Sequence, residues 1–247
     1  MISICMAYYN RKDQLLKTLQ SIEASKEECQ IIIVDDSSSE DQALSTFIPD
    51  WNLEHSPPVL NITYGPKTWV NPCKAYNEAI SYATGDIVII QNSECMHIGN
   101  VIKYVRENLK KYQYMAFSCL SWDQTPFSLE EAKTINYSAG GQCAKGWYHH
   151  PTYNNRPYHF CCALHRENLN KLKGFDERFK DGPCYDDEDF IRRVRKLGLQ
   201  IVSPVDPFVI HQWHDSSHIY NPDSHERFLR NQALYNDILT GKLESWS

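Results

Sequence analysis

Apolar positions in the first half of the chain alternate between short continuous runs and stripes at helical spacing. "ISICMAYY" (2–9) reads as a strand, and "KDQLLKTLQSIEAS" (12–25) follows with Leu15, Leu16, Leu19 and Ile22 on one helical face. "CQIIIVDDSS" (29–38) is an unbroken apolar run ending in acids and serines, the pattern of a parallel strand buried on both faces. "LNITYG" (60–65) is a short third strand. "PCKAYNEAISYATG" (72–85) carries Ala75, Ala79, Ile80 and Ala83 at helical spacing, with Gly85 placed to cap its end. A fourth strand, "GDIVIIQNSE" (85–94), precedes the helix "GNVIKYVRENLKKY" (99–112) and a further strand, "YMAFSCLSW" (114–122).

This β-α-β-α order predicts an α/β fold: a mainly parallel, Rossmann-like central sheet flanked by helices. Ligands of such sheets bind beyond the carboxyl ends of the strands. The polar clusters "YNR", "DDSSS" and "QNSE" all lie at those ends, so they are expected to converge on one crevice. From about residue 124 to 160 the periodicity dissolves into aromatic, Gly- and His-rich sequence, "AGGQCAKGWYHHPTYNNRPYHF" (139–160), which reads as a functional loop. The rest holds "CCALHRENLNKLKGFDERF" (161–179), the acidic helix start "DDEDFIRRVRKLG" (186–198), the strand "PFVIHQWH" (207–214) and a closing amphipathic helix, "SHERFLRNQALYNDILTG" (224–241).

Composition narrows the picture. Hydrophobic residues are 42% of the 247, enough to fill a core. A net charge of −6 argues against broad binding to nucleic acid or anionic membranes. The nine cysteines form no Cys-x-x-Cys pair, so they read as small buried hydrophobes of a reducing compartment. No apolar run approaches the roughly 20 residues of a membrane-spanning helix. The start "MISICMAYYNRK" lacks the basic head and long apolar core of a signal peptide. A cytoplasmic protein without a transmembrane segment is expected.

Taken in order, "ISICMAYYNRKDQLLKTLQSI", "IIIVDDSSSED", "YNEAISYATGDIVIIQNSE", "LKGFDERF", "DDEDFIRRVRKLG" and "VIHQWH" resemble the successive motifs of nucleotide-sugar glycosyltransferases of the GT-A fold. The resemblance is to glycosyltransferase family 2, with a C-terminal half similar to galactosyltransferases, and runs from residue 2 to about 214. It implies a GT-A domain over 1–214, with a nucleotide-binding half (1–123) and an acceptor or catalytic half (124–214). Residues 215–247 would be a C-terminal helical extension.

The resemblance also implies roles. Asp36, the second acid of "DDSSS", would accept the uracil N3–H, a donor that cytosine lacks, while Asp35 stays structural. Tyr9 takes the position that packs on uridine, with Ala7 beside it through the backbone. Arg11 is either a phosphate or base contact or a solvated arginine, and Lys74, Asn77 and Ser93 join the nucleotide set. Family members usually carry Asp-x-Asp or Asp-Asp where this chain has "QNSE", so Glu94 would be the single protein carboxylate on Mn²⁺ or Mg²⁺. With so few acids, a metal-independent enzyme using Lys or Arg is the alternative. His211 and His214 are the candidates for a further metal ligand, and spacing does not choose between them. His97, His218 and His225 read as surface residues.

In the acidic helix start Asp187 would be the base that takes the acceptor proton, and Asp186 a sugar-binding or supporting group. Glu188 and Asp189 read as capping or structural residues. Gly174 and Phe175 fit a tight turn, and Asp176 and Glu177 serve the fold. Acceptor and donor-sugar contacts are expected from Trp147, Tyr148, His149, His150, Arg156 and His159, where aromatic faces and hydroxyl-binding groups are dense.

The expected activity is inverting transfer of a sugar, hexosyl or N-acetylhexosaminyl, from a UDP-sugar to a hydroxyl of a glycan or glycoconjugate. Two rivals are a glycan-binding scaffold that has lost catalysis and a sugar nucleotidyltransferase. The absence of glycine from "AYYNRKD" counts against the second.

Overall fold

The computed structural model describes residues 1–65, 67–123, 128–139, 145–215 and 222–246. In chain order the elements are β1 (Ile2–Tyr8), α1 (Lys12–Glu23), β2 (Gln30–Asp35), α2 (Ile48–Glu54), β3 (Val59–Thr63), α3 (Cys73–Ser81), β4 (Ile87–Asn92), β5 (Cys95–Ile98) and α4 (Val101–Asn108). Then come β6 (Gln113–Ala116), β7 (Cys119–Ser121), α5 (Leu129–Thr134), β8 (Gly146–His149), β9 (Cys161–His165), α6 (Arg166–Leu172), α7 (Asp186–Lys196), β10 (Gln200–Val202), β11 (Phe208–His211) and α8 (Pro222–Leu239).

Seven strands form the central sheet in the order β10-β6-β9-β4-β1-β2-β3. All its pairings are parallel except those of β9, which runs antiparallel to β4 and β6. Alternation along β1 divides the core between the two faces of the sheet. Ile2, Ile4, Met6 and Tyr8 pack with Leu15, Leu19 and Ile22 of α1 and with Val101, Ile102 and Val105 of α4. Cys5 and Ala7 face Ala75, Tyr76 and Ala79 of α3, Leu169 and Leu172 of α6, and Phe190 and Val194 of α7. The sheet is thus covered on both sides, as a parallel sheet requires.

A second sheet, β5-β11-β7-β8, stands beside the first. Two expectations change. The run 114–122 is two strands, because Phe117 donates its N–H to the Cys161 carbonyl (2.9 Å) and Ser118 to that of Pro204 (3.3 Å) as the chain passes from one sheet to the other. Gly85 is not the cap of α3, which ends at Ser81 with Tyr82 as its capping residue. Its glycine requirement comes from β1: a Cβ there would lie 2.7 Å from the Met1 carbonyl oxygen. Most of the free cysteines among the described residues are buried, as expected, but Cys184 is exposed and Cys29 partly so. No helix of the described residues is long and apolar enough to cross a membrane.

Candidate active site

Strand register brings the three polar clusters together. Tyr8 lies beside Asp35 in the β1–β2 pair, and Ala7 beside Asn92 in the β1–β4 pair, so "YYNR", "DDSS" and "NSE" leave the sheet along one edge.

At β2, Asp35 is fully buried and accepts the backbone N–H groups of Ser38 (2.8 Å) and Leu44 (2.9 Å), a structural use of both oxygens. Asp36 is also buried but turns toward the crevice. Its Oδ2 accepts from Lys67 Nζ (2.7 Å) and its Oδ1 from Trp69 Nε1 (2.9 Å). Burial pushes this carboxyl up, opposed by Lys67 and Trp69. The Lys67 ammonium also sits 4.1 Å from the centre of the exposed Tyr9 ring, and Lys74 lies 4.3 Å over Trp69. Asn77 is a correction. Its amide brackets the Phe175 backbone, donating to the carbonyl (2.9 Å) and accepting the N–H (2.8 Å), so it fixes the turn after Gly174 rather than facing a nucleotide.

At β4, Glu94 is buried at 3% exposure. Its Oε1 lies 3.2 Å from Arg11 Nη1, 3.3 Å from His211 Nε2 and 3.6 Å from His214 Nε2, and its Oε2 accepts from the buried Ser93 hydroxyl (3.1 Å). Both histidines therefore lie within reach of Glu94. The cause is register: β11 pairs antiparallel with β5 so that His211 lies opposite Cys95, the residue after Glu94. Gln212 Nε2 then ties the following turn to the carbonyls of Gln14 (2.9 Å) and Glu94 (3.1 Å), bringing His214 back over the same carboxylate. Burial alone would push the Glu94 carboxyl up, but Arg11, His211 and His214 outweigh it and hold the group well below the usual range. Burial lowers the His214 ring to about 4, so this imidazole is neutral at physiological pH and Arg11 carries the compensating charge.

One carboxylate and two imidazoles with ligand atoms within 4.8 Å of one another are a donor set that fits a divalent cation. Tyr148 stacks on Phe160 (5.4 Å) and meets His211 edge-on (5.1 Å), orienting that ring.

The second acidic group is linked to the first through Tyr76. Asp187, partly exposed, has His159 Nδ1 against its Oδ1. Burial would lower the His159 ring, but the charge of Asp187 raises it above its ordinary value. Asp186 is buried and accepts from Asn71 Nδ2 (2.6 Å). Tyr76 joins the two groups. Its hydroxyl donates to Asn92 Oδ1 (2.9 Å), its ring meets His159 edge-on (4.9 Å), and it feels the charges of Glu94, Asp187 and Asp186 alike. Glu188 accepts from the Tyr158 hydroxyl (3.0 Å). Asp189 is structural: its oxygens accept from Arg192 Nη2 and Arg193 Nε (2.6 Å each), and Arg193 ties α7 to the carbonyls of Leu172 and Gly174.

Burial first, and the Asp187 charge second, push the Asp186 carboxyl up to about 7. An aspartate in an unfolded chain titrates near 4. Asp186 therefore contributes stability that is complete below about pH 4 and lost as pH rises through about 7. Asp186→Asn is expected to melt with the wild type at pH 4 and above it at pH 8, where a kcal/mol is worth about 2–4 °C for a chain of this size. Equal or lower melting temperature at pH 8 contradicts this.

Several expected contacts lie elsewhere. Trp147 is buried under the second sheet, donating its indole N–H to the Ile135 carbonyl (2.9 Å), and His149 is fully buried beside Ser203 Oγ (2.9 Å). Alternation in β8 turns both away from the crevice and only Tyr148 toward it. Arg156 is exposed, and His150 packs on Trp147 and Tyr153. His97 is not a surface residue: it is buried 2.8 Å from Gln91 Oε1. His225 is exposed as expected, and His218 lies outside the described residues. Lys67, Trp69, Asn71 and Tyr76 are not among the residues the sequence singles out, although "KTWVN" does place basic and aromatic residues just beyond the third strand.

The model of glycosyl transferase family 2 matches residues 3–173, well over half of the chain. The chain belongs to glycosyltransferase family 2. No curated protein matches it by sequence. Among solved structures, this family 2 chain superimposes on S. aureus TarS 1-349 in complex with UDP-GlcNAc with a TM-score of 0.65 and 15% identity, over 99% of this chain and 68% of that one. It superimposes on the mannosyltransferase PcManGT from Pyrobaculum calidifontis in complex with GDP-Man and Mn²⁺ with a TM-score of 0.58 and 16% identity, over 85% of this chain. There it spans only 56% of the other chain, and 40% of the longer TarS structure. These likenesses establish the GT-A fold.

Proposed function

We propose that this family 2 chain is an inverting glycosyltransferase that moves a sugar, hexosyl or N-acetylhexosaminyl, from a UDP-sugar to a hydroxyl of a glycan or glycoconjugate. One observation carries the reading: Tyr76 links the neighbourhood of the Glu94–His211–His214 group, through Asn92, to that of Asp187, through His159. The complexes of TarS with UDP-GlcNAc and of PcManGT with GDP-Man and Mn²⁺ support a nucleotide-sugar donor.

In this reading residues 1–123 bind the nucleotide and 124–214 the acceptor. Asp36 and Lys67, 2.7 Å apart, set an acceptor beside a donor, the complement of an imide N–H and its carbonyl. Uracil offers that edge; cytosine does not. Tyr9, Ala7 and Lys74 flank the base, and Arg11 and Ser93 lie toward the phosphates. Glu94, His211 and His214 would hold Mn²⁺ or Mg²⁺, which when bound supplies positive charge to the diphosphate leaving group. Asp187 takes the proton of the acceptor hydroxyl, whose oxygen attacks the anomeric carbon as the bond to the diphosphate breaks on the opposite face. Asp186, held by Asn71, supports the sugar.

Thermal shifts with UDP, GDP, CDP and ADP, each with and without Mn²⁺, test the donor side. At 100 times its Kd a ligand adds about 2.7 kcal/mol of stability. UDP is expected to stabilise the protein, CDP and ADP are not, and Asp36→Ala is expected to remove the UDP response. A protein that responds to neither nucleotide nor metal, and releases no UDP from UDP-sugars, is a glycan-binding scaffold instead.

A further inference from the structure

We propose that α8 belongs to the catalytic apparatus: Asn231 and Gln232 are positioning residues that hold the backbone turn from which Asp186 and Asp187 project. The proposal rests on the roles given above to those two carboxylates. The family 2 match ends at residue 173, so neither the acids nor the helix falls within it.

The turn is strained. Cys184 (φ 64°) and Tyr185 (φ 71°) are consecutive left-handed residues, and neither is glycine. Such a conformation is costly for side-chain-bearing residues and persists only where the surroundings impose it. Asp186 follows directly, and the Tyr185 carbonyl accepts the Asp189 N–H (3.0 Å) as the first hydrogen bond of α7. The direction in which α7 starts is therefore set by these two residues.

What imposes the turn comes from α8. Asn231 is fully buried, and its Nδ2 donates among the carbonyls of Gly182 (2.7 Å), Phe179 (2.9 Å), Cys184 (3.1 Å) and Pro183 (3.4 Å). Gln232 Nε2 donates to the Tyr185 hydroxyl (2.7 Å), and the Tyr185 ring leans on Phe228 (5.3 Å) and Tyr235 (5.5 Å). Each strained residue thus takes a hydrogen bond from an α8 side chain, Cys184 at its carbonyl and Tyr185 at its phenol. Gly182 lets the helix close on the loop, since a Cβ there would lie 2.2 Å from the Arg227 carbonyl oxygen. A helix docked only for apolar burial has no need of a buried amide centred on four carbonyls.

Hydrogen exchange and steady-state kinetics test the proposal together. In Asn231→Ala, amides of residues 184–189 are expected to exchange about tenfold faster while β1, β2 and β4 stay protected. Misplacing a catalytic group by an ångström lowers turnover by about 10²-fold, so kcat should fall by that order. Donor KM should stay within about twofold, since the nucleotide half is untouched. Adding Cys184→Gly should recover about tenfold of the loss, because glycine adopts the left-handed turn without support. Gln232→Leu, which keeps Asn231, should show the same kcat-selective loss at smaller size and decides the matter if Asn231→Ala does not fold. Wild-type kcat in Gln232→Leu, or kcat and KM failing together in Asn231→Ala without recovery by Cys184→Gly, overturns the proposal. Faster exchange at 184–189 in a chain that transfers no sugar supports the clamp while removing the catalytic reading of Asp187.

Discussion

Asp187→Asn is expected to lower kcat by about 10²–10⁴-fold, the usual contribution of a general base, while UDP affinity stays within about twofold of wild type. The geometry explains the selectivity. Both contacts of Asp187 with His159, through the ring Nδ1 and the backbone N–H, fall on Oδ1, and among the described residues Oδ2 has no hydrogen-bond partner. In the proposed mechanism that oxygen is the one that takes the acceptor proton. An asparagine keeps the volume and a hydrogen-bonding edge, so α7 and its buried Asp189–Arg193 pair stay in place, but it takes no proton. Asp186 loses a like charge at its side in the variant and should titrate lower than in the wild type. Single-turnover transfer from a UDP-sugar, measured beside calorimetric UDP binding, checks the split. Unchanged turnover in Asp187→Asn, with loss in Asp186→Asn, moves the base to Asp186.

The sheet edge proposed for the donor is legible in the sequence because local signals determine it. Runs such as Ile31–Val34 and Ile87–Ile90 can only be strands buried on both faces, and in a parallel sheet their polar ends must share an edge. The candidate metal group is half legible. Glu94 follows a strand and stands out, but the approach of both His211 and His214 to it depends on the β5–β11 register. β5 is four residues of mixed polarity hidden behind β4. The aromatic stretch misleads for a different reason. Composition marks Trp147 and His149 as sugar-binding types, whereas alternation within β8 sends them into the core and leaves Tyr148 alone on the active face. Asn77 reads as a nucleotide contact because its partner, the Phe175 backbone, lies 98 residues away in the sequence. Asn231 gives no local signal at all, since its partners are carbonyls of a loop whose conformation only the fold defines.

Glu94→Gln is expected to weaken UDP-dependent Mn²⁺ binding by more than about 10²-fold, beyond the 10–100-fold typical of losing a mere supporting group around a metal. The glutamine keeps the shape, its oxygen accepting from Arg11 and its amide N–H donating to a turned Ser93 hydroxyl, so the fold is preserved, but the only carboxylate of the group is gone. With it goes the anion that makes a buried pair of imidazoles a cation site. UDP affinity measured without metal should be unchanged or slightly higher, because Arg11 no longer faces a full negative charge. His211→Ala and His214→Ala should each weaken Mn²⁺ binding too, since both ring nitrogens point at the same oxygen. The two imidazoles also predict an order among metals: nitrogen donors suit transition ions, so Mn²⁺ should outcompete Mg²⁺ at this site. Equilibrium dialysis with and without UDP, paired with turnover after chelation and re-addition of each ion, measures all of this. The competing outcome is equally definite. If chelation leaves turnover intact and Glu94→Gln remains active, Arg11 and Lys74 neutralise the diphosphate unaided, and Glu94 serves only to hold Arg11 in the crevice.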